Sequence, residues 1–146
     1  MKANVVGYVA GFIDGEGTVS ISHHNRPGRC GPTYEAYVSV EQVEPAPLRF
    51  LQRLWGGSLG LFDRRVSLRH RPRWVWRVSG EKAVTLLKEV RPYLLVKGPV
   101  ADVVIKYWDT TRHTCTGYRV SPEEWVRRAT FVAQVRQLNK RGVCAA

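Results

Sequence analysis

Val9-Ala10-Gly11-Phe12-Ile13-Asp14-Gly15-Glu16-Gly17, near the start of a 146-residue chain, is an apolar helical run ending in two acids set among glycines. With Gly7 ahead of it, small residues recur at Gly7, Gly11 and Gly15. That spacing leaves a shallow groove along one helical face, which a second helix can approach backbone to backbone. The acids fall where the helix runs out. A helix continuing through both would point them about 200° apart, at ~100° per residue, so they could not share one ligand. One is then structural and the other functional. Glycines on either side of Glu16 leave its backbone free to approach another chain or a phosphate. A carboxylate is a hard oxygen ligand of the kind Mg²⁺ takes, commonly together with substrate phosphates. The competing reading, that both acids cap the turn and stay solvated, is equally open on spacing alone.

Outward from this stretch the chain alternates helix and hairpin. Asn4 suits an N-cap for a helix from 5 to about 14, stopped by Gly15 and Gly17. Residues 18–24 alternate, with Val19 and Ile21 on one side and Ser20, Ser22 and His24 on the other, a half-buried strand. A Pro/Gly loop over 25–33 carries Arg26 and Arg29. Residues 34–42 alternate again, Ala36, Val38 and Val40 against Tyr37, Ser39 and Glu41. Pro45 and Pro47 suit the first turn of a second helix with Leu48, Leu51, Leu54 and Trp55 at helical spacing, ended by Gly56-Gly57. A second strand pair is predicted over 58–63 and 74–79, closed by Gly80. Ala83, Leu86, Leu87 and Val90 mark a third helix before Pro92, and Val100, Val103, Val104 and Tyr107 a fourth. Ser121-Pro122-Glu123-Glu124 forms a capping box for a last helix reaching about Asn139.

This order resembles a duplicated helix-plus-hairpin unit. Two hairpins can join in one four-stranded antiparallel sheet with helices on its apolar face, an α+β fold. The other face stays polar, basic and uncovered, a surface that can lie along a nucleic-acid groove. The length suits a single domain over residues 1–146.

Charge narrows the partner. Twenty-three Lys+Arg against twelve Asp+Glu give +11 and a pI near 10.1, which points to a polyanion, with nucleic acid first. No apolar run is long enough to span a bilayer. The glycine-broken segment after Lys2 lacks a signal-peptide cleavage site. Cys30, Cys115 and Cys144, odd in number and widely spaced, suit an intracellular, reducing compartment and exclude a disulfide framework or a zinc pattern. No membrane partner is expected.

Arg64, Arg65, Arg69, Arg71, Arg73 and Arg77, with His70, crowd the second strand pair. Arg dominates over Lys, and Arg reads phosphates and guanine edges bidentately. Trp74 and Trp76 are candidates for base stacking, but core packing is the better reading for at least one of them. His23-His24 with Cys30 does not match a zinc spacing.

The opening stretch resembles the LAGLIDADG motif that names a class of homing endonucleases. Ala10, Gly11, Ile13, Asp14 and Gly17 match outright, while Val9, Phe12, Gly15 and Glu16 stand at the first Leu, second Leu, second Ala and second Asp. The similarity extends through the first hairpin, through Leu48-Arg49-Phe50-Leu51-Gln52-Arg53-Leu54-Trp55-Gly56-Gly57, and through Arg91-Pro92-Tyr93-Leu94-Leu95-Val96-Lys97. It implies an αββαββα core with a saddle-shaped sheet on double-stranded DNA, plus extra C-terminal helices.

A single-motif chain is similar to the homodimeric members, whose motif helices pack at the two-fold axis, here through Gly7, Ala10, Gly11 and Asp14. Such symmetry implies a palindromic or near-palindromic target cleaved on both strands. The resemblance further implies that Glu16 binds the catalytic Mg²⁺, with Mn²⁺ or Ca²⁺ able to occupy the site, and that the Gly15 carbonyl assists. Gln42 then helps place the attacking water, Lys97 stabilises developing charge, and Asp14 takes a structural role at the helix end. The DNA-reading face is expected to comprise Ser20, Ser22, His24, Arg26, Arg29, Tyr37, Ser39, Glu41, Arg64, Arg69, Arg71, Arg73 and Arg77. Two alternatives use the same scaffold: an intron maturase, with intron RNA as partner, and a non-cleaving DNA-binding regulator.

Overall fold

The computed structural model describes residues 2–24, 33–62, 72–111 and 120–140. Its elements run α1 (Ala3–Glu16), β1 (Gly17–His24), β2 (Thr33–Gln42), α2 (Pro45–Trp55), β3 (Ser58–Phe62), β4 (Arg73–Ser79), α3 (Glu81–Val90), a 3₁₀ turn (Arg91–Tyr93), α4 (Gly98–Thr110) and α5 (Pro122–Leu138). Two helix-plus-hairpin units followed by helices match the sequence expectation. The four strands form one antiparallel sheet in the order β1-β2-β4-β3.

Period-2 alternation carries through to burial. Val19 faces Val38, Val38 faces Val78, and Val40 faces Trp76, all in the core. Helices pack on this side, contributing Val9, Ile13, Leu48, Leu51, Leu86, Leu87, Val104 and Tyr107. Trp76 is fully buried, and its indole N–H donates to the Gly56 carbonyl at 2.8 Å. Trp74 is half-buried against the same core. Both tryptophans therefore belong to the helix-covered side, not to a base-stacking surface.

Gly57 makes the α2–β3 turn possible. Its φ is 86°, and a Cβ there would lie 2.4 Å from the Arg77 carbonyl oxygen. Pro45 opens α2 as expected. The start of α1 differs from the sequence reading. Lys2, not Asn4, is the N-cap, because the helix begins at Ala3; the Asn4 side chain accepts only from Val5 N at 3.0 Å.

At α5, Ser121 caps as expected, accepting from Glu124 N at 3.2 Å. Glu124 itself turns to Arg127 and Arg128, at 2.7 and 2.9 Å, and the hydrogen bond from Arg127 leads the effects that hold its carboxyl down at about 2. Arg127 also donates to the Thr110 carbonyl at 2.6 Å, tying α5 to the end of α4. Asn139 then donates to Val19 O at 3.0 Å, occupying a carbonyl on the edge strand β1. The Tyr107 hydroxyl, pushed up to about 12 mainly by burial, donates to Tyr34 O at 3.1 Å.

Candidate active site and nucleic-acid interface

Helix α1 runs unbroken through both acids of the opening stretch, two residues further than the glycines suggested. Gly17 follows as its C-cap, with its N–H on Ile13 O. A Cβ on Gly17 would sit 2.7 Å from that oxygen, so glycine is what permits the direct turn from α1 into β1. Val6, Val9, Ala10 and Ile13 face the core. Gly7, Gly11 and Gly15 have open space where a side chain would project.

This separates residues that the sequence reading placed together on one interface face. Ala10 is 0% exposed and belongs to the core, because it stands about 40° from Val6 and about 60° from Ile13 around the axis, between two buried residues. Asp14 also turns inward, and its carboxylate is fully engaged within the chain. Asp14 Oδ2 accepts from Leu95 N at 2.6 Å and Val96 N at 3.2 Å, and Oδ1 from Lys97 N at 2.8 Å. Partial burial pushes its carboxyl up. The N–H groups of Lys97, Leu95 and Val96, with the Lys97 charge, outweigh that and hold it below the usual carboxylate range.

The cradle sets the position of a second group. With the backbone of 95–97 fixed on Asp14, Lys97 reaches back and its Nζ donates to the Asp14 carbonyl. A helix C-terminus carries partial negative charge on its last carbonyls, so an ammonium there is favourably placed. Glu16, two residues on, is exposed on the other side of the helix. The Asp14–Glu16 division expected from the helical angle is thus present in the structure: one acid saturated, the other open.

Gln42 is the last residue of β2 and half-buried. Gly17 is level with Val40, so Gln42 lies beyond it at the sheet end where α1 terminates. Glu16, Gly15, Gln42 and Lys97 therefore gather around one end of the sheet. Among the described residues no three His, Cys, Asp or Glu side chains form a metal cluster. Among the described residues, the donors that the α1 tip offers a hard cation are oxygens, the Glu16 carboxylate and nearby carbonyls. That set fits a Mg²⁺-type ion whose remaining ligands come from phosphates and water.

The open sheet face is as the alternation predicted. Thr18, Ser39, Arg77 and Ser58 form one row; Ser20, Tyr37 and Ser79 form the next. Ser22 faces Glu35, and His24 faces Thr33. Glu35 is a face residue that the sequence reading passed over. Glu41 is bridged to Arg73 at 2.9 Å. Arg26, Arg29, Arg64, Arg69 and Arg71 lie outside the described residues, as do Arg65, His70 and the three cysteines.

No protein-family model and no curated protein sequence matches the chain. Solved structures do. The homing endonuclease I-CvuI, in complex with a DNA target in the presence of magnesium and with the DNA not cleaved, has a TM-score of 0.74 at 20% identity. That match covers 98% of this chain and 86% of the other. The archaeal intron-encoded homing endonuclease I-Vdi141I, complexed with DNA, has a TM-score of 0.75 at 16% identity over 95% and 86% of the two chains. The chain has the LAGLIDADG homing-endonuclease fold. The LAGLIDADG homing endonuclease I-LtrWI, bound to target DNA, matches at TM-score 0.67 and 16% identity over 87% of this chain but 42% of its own. I-CvuI with its target is also described in the presence of calcium. Within this fold, α1 is the motif helix and its tip is the acid-bearing end described above.

Proposed function

We propose that the chain is a homodimeric, divalent-metal-dependent, site-specific DNA endonuclease. It would cleave both strands of a palindromic or near-palindromic target. The observation that carries this reading is the α1 tip: Asp14 commits its carboxylate to the backbone of 95–97, which brings Lys97 against the same helix end that carries an exposed Glu16. A non-cleaving regulator or an intron maturase needs the basic open face but has no use for this arrangement. The DNA bound to I-CvuI and I-Vdi141I supports the same reading.

In the proposed reaction, water attacks phosphorus in line, a new P–O bond forms, and the bond to the departing sugar oxygen breaks. Glu16 and the Gly15 carbonyl would hold the cation, which when bound supplies charge compensation at the phosphate. Gln42 orients the attacking water by hydrogen bonding. Lys97, held at the helix end, offsets negative charge developing on the phosphoryl oxygens.

The homodimer reading rests on surface chemistry. Tyr8 is 52% exposed on the glycine side of α1, and Leu95 and Val96 at its tip are 88% and 71% exposed. Exposed apolar groups beside an open glycine groove suit a second copy of the same helix. Two copies bring one Glu16 to each DNA strand.

The test is Glu16→Gln. Cleavage with Mg²⁺ is expected to fall at least about 100-fold, with binding to the same DNA little changed. Full activity in that variant would overturn the metal assignment. Sedimentation should give a dimer; a monomer still cutting both strands would overturn the homodimer. Preferential binding of structured intron RNA over duplex DNA, without cleavage, would favour the maturase.

A further inference from the structure

Resting on the DNA-cleaving reading above, the open face contains a feature that bears on which DNA is chosen. Two described arginines project from it, and their surroundings differ. Arg73 is bridged to Glu41, and its guanidinium lies 5.3 Å from the Phe62 ring centre. Arg77 has no carboxylate partner among the described residues; its guanidinium carbon lies 3.8 Å from the centre of the Tyr37 ring.

The register explains the contact. Arg77 is level with Ser39 and Ser58, while Tyr37 is level with Ser79. Tyr37 therefore meets Arg77 along the diagonal between neighbouring strands, within reach of an aromatic and a long side chain. Every other side chain in those two rows, Thr18, Ser20, Ser39, Ser58 and Ser79, is a small hydroxyl. The stacked pair is the one large feature in the middle of the face among the described residues.

An unrestrained Arg carries about 2 kcal/mol of rotamer entropy, which must be lost before its fork can engage two acceptors at once. A ring under the guanidinium fixes its plane beforehand and leaves its N–H edges open. Guanine offers the matching pair of acceptors, O6 and N7, in the major groove.

We propose that Tyr37 is a positioning residue that holds Arg77 for bidentate reading of a guanine, which makes this pair a determinant of target specificity. Arg73, neutralised by Glu41, is not assigned to a base.

The experiment is selection of bound duplexes from a randomised DNA pool, run for wild type, Arg77→Ala, Arg77→Lys, Tyr37→Phe and Tyr37→Ala. Wild type is expected to require guanine at one position per half-site, with about 10- to 100-fold discrimination. Arg77→Ala and Arg77→Lys should lose it at that position alone. Tyr37→Phe, which keeps the ring, should retain it, and Tyr37→Ala should weaken it about 3- to 10-fold. Replacing that guanine with 7-deazaguanine should weaken wild-type binding and leave Arg77→Ala unaffected. A uniform loss of affinity across all sequences in Arg77→Ala would assign Arg77 to a phosphate and overturn the proposal, while leaving the nuclease reading intact. Equal loss in Tyr37→Phe and Tyr37→Ala would overturn the role of the ring. A wild type that selects no sequence would remove the proposed function and this assignment with it.

Discussion

The tip of α1 and the open face of the sheet are adjacent, and they are built on opposite plans. At the tip, a carboxylate is locked by three backbone N–H groups, and a lysine is held by a backbone carbonyl. On the face, the charged and aromatic side chains meet other side chains, in the exposed pair Arg73–Glu41 and the half-buried pair Arg77–Tyr37. Backbone-anchored groups are fixed by the fold itself, whereas exposed side-chain pairs can be exchanged without disturbing it. The difference fits a division between constant chemistry and adjustable recognition.

The comparison breaks most readily at Lys97. Lys97→Met keeps the apolar stem and removes the ammonium; cleavage should fall about 100- to 1000-fold, with DNA binding and sequence preference retained. A change in preferred sequence would mean that tip and face are not separable. Asp14→Asn comes next. It replaces a charged acceptor of three N–H groups, so stability should drop by about 2 kcal/mol, read by denaturant unfolding. Cleavage should fall about 10- to 100-fold through the displaced 95–97 segment. Unaltered stability would mean that the cradle contributes nothing.

Acid provides a subtler probe. The carboxyls of Asp14 and Glu124 are both depressed in the folded chain, Glu124 to about 2. Their stabilisation is fully present above their ordinary values of 3.8 and 4.5 and is lost as pH falls below them. Thermal stability should therefore decline steeply from about pH 4.5 toward 2, and less steeply in Asp14→Asn and Glu124→Gln than in wild type. The smallest effect is expected on the face. Arg73→Ala removes an exposed pair, so stability should change by no more than about 1 kcal/mol. If Arg73 meets a phosphate, the salt dependence of DNA binding should lose about 0.9 in log–log slope.

The same division decides what was legible in the sequence. Strand alternation identified the core and open faces of β1 and most of β2, because a buried face demands apolar side chains at every second position, but it left Trp74 and Trp76 of β4 undecided. The capping serine and the helix-opening prolines were equally readable, each acting on its own neighbours. The helical angle alone said that Asp14 and Glu16 could not share one ligand, and only the resemblance said which of them belongs to the helix end; Ala10 was assigned to the wrong side. Alanine fits both a close helix contact and a packed core, and only Val6, Val9 and Ile13 beside it settle which side is buried. The amide cradle at 95–97 had no signature, since it uses backbone groups that every residue possesses, 81 to 83 positions away in the chain. The Tyr37–Arg77 stack needed the β2–β4 register, which alternation does not supply.

The central claim is metal-dependent cutting of a specific DNA duplex. The most direct measurement incubates the wild-type chain with a randomised double-stranded pool, with and without Mg²⁺, and sequences the cleaved ends. The account predicts cleavage only with the metal, on both strands, at a single enriched site with two-fold symmetry. Absence of cleavage, or cleavage that proceeds equally without a divalent metal or without sequence preference, would contradict it.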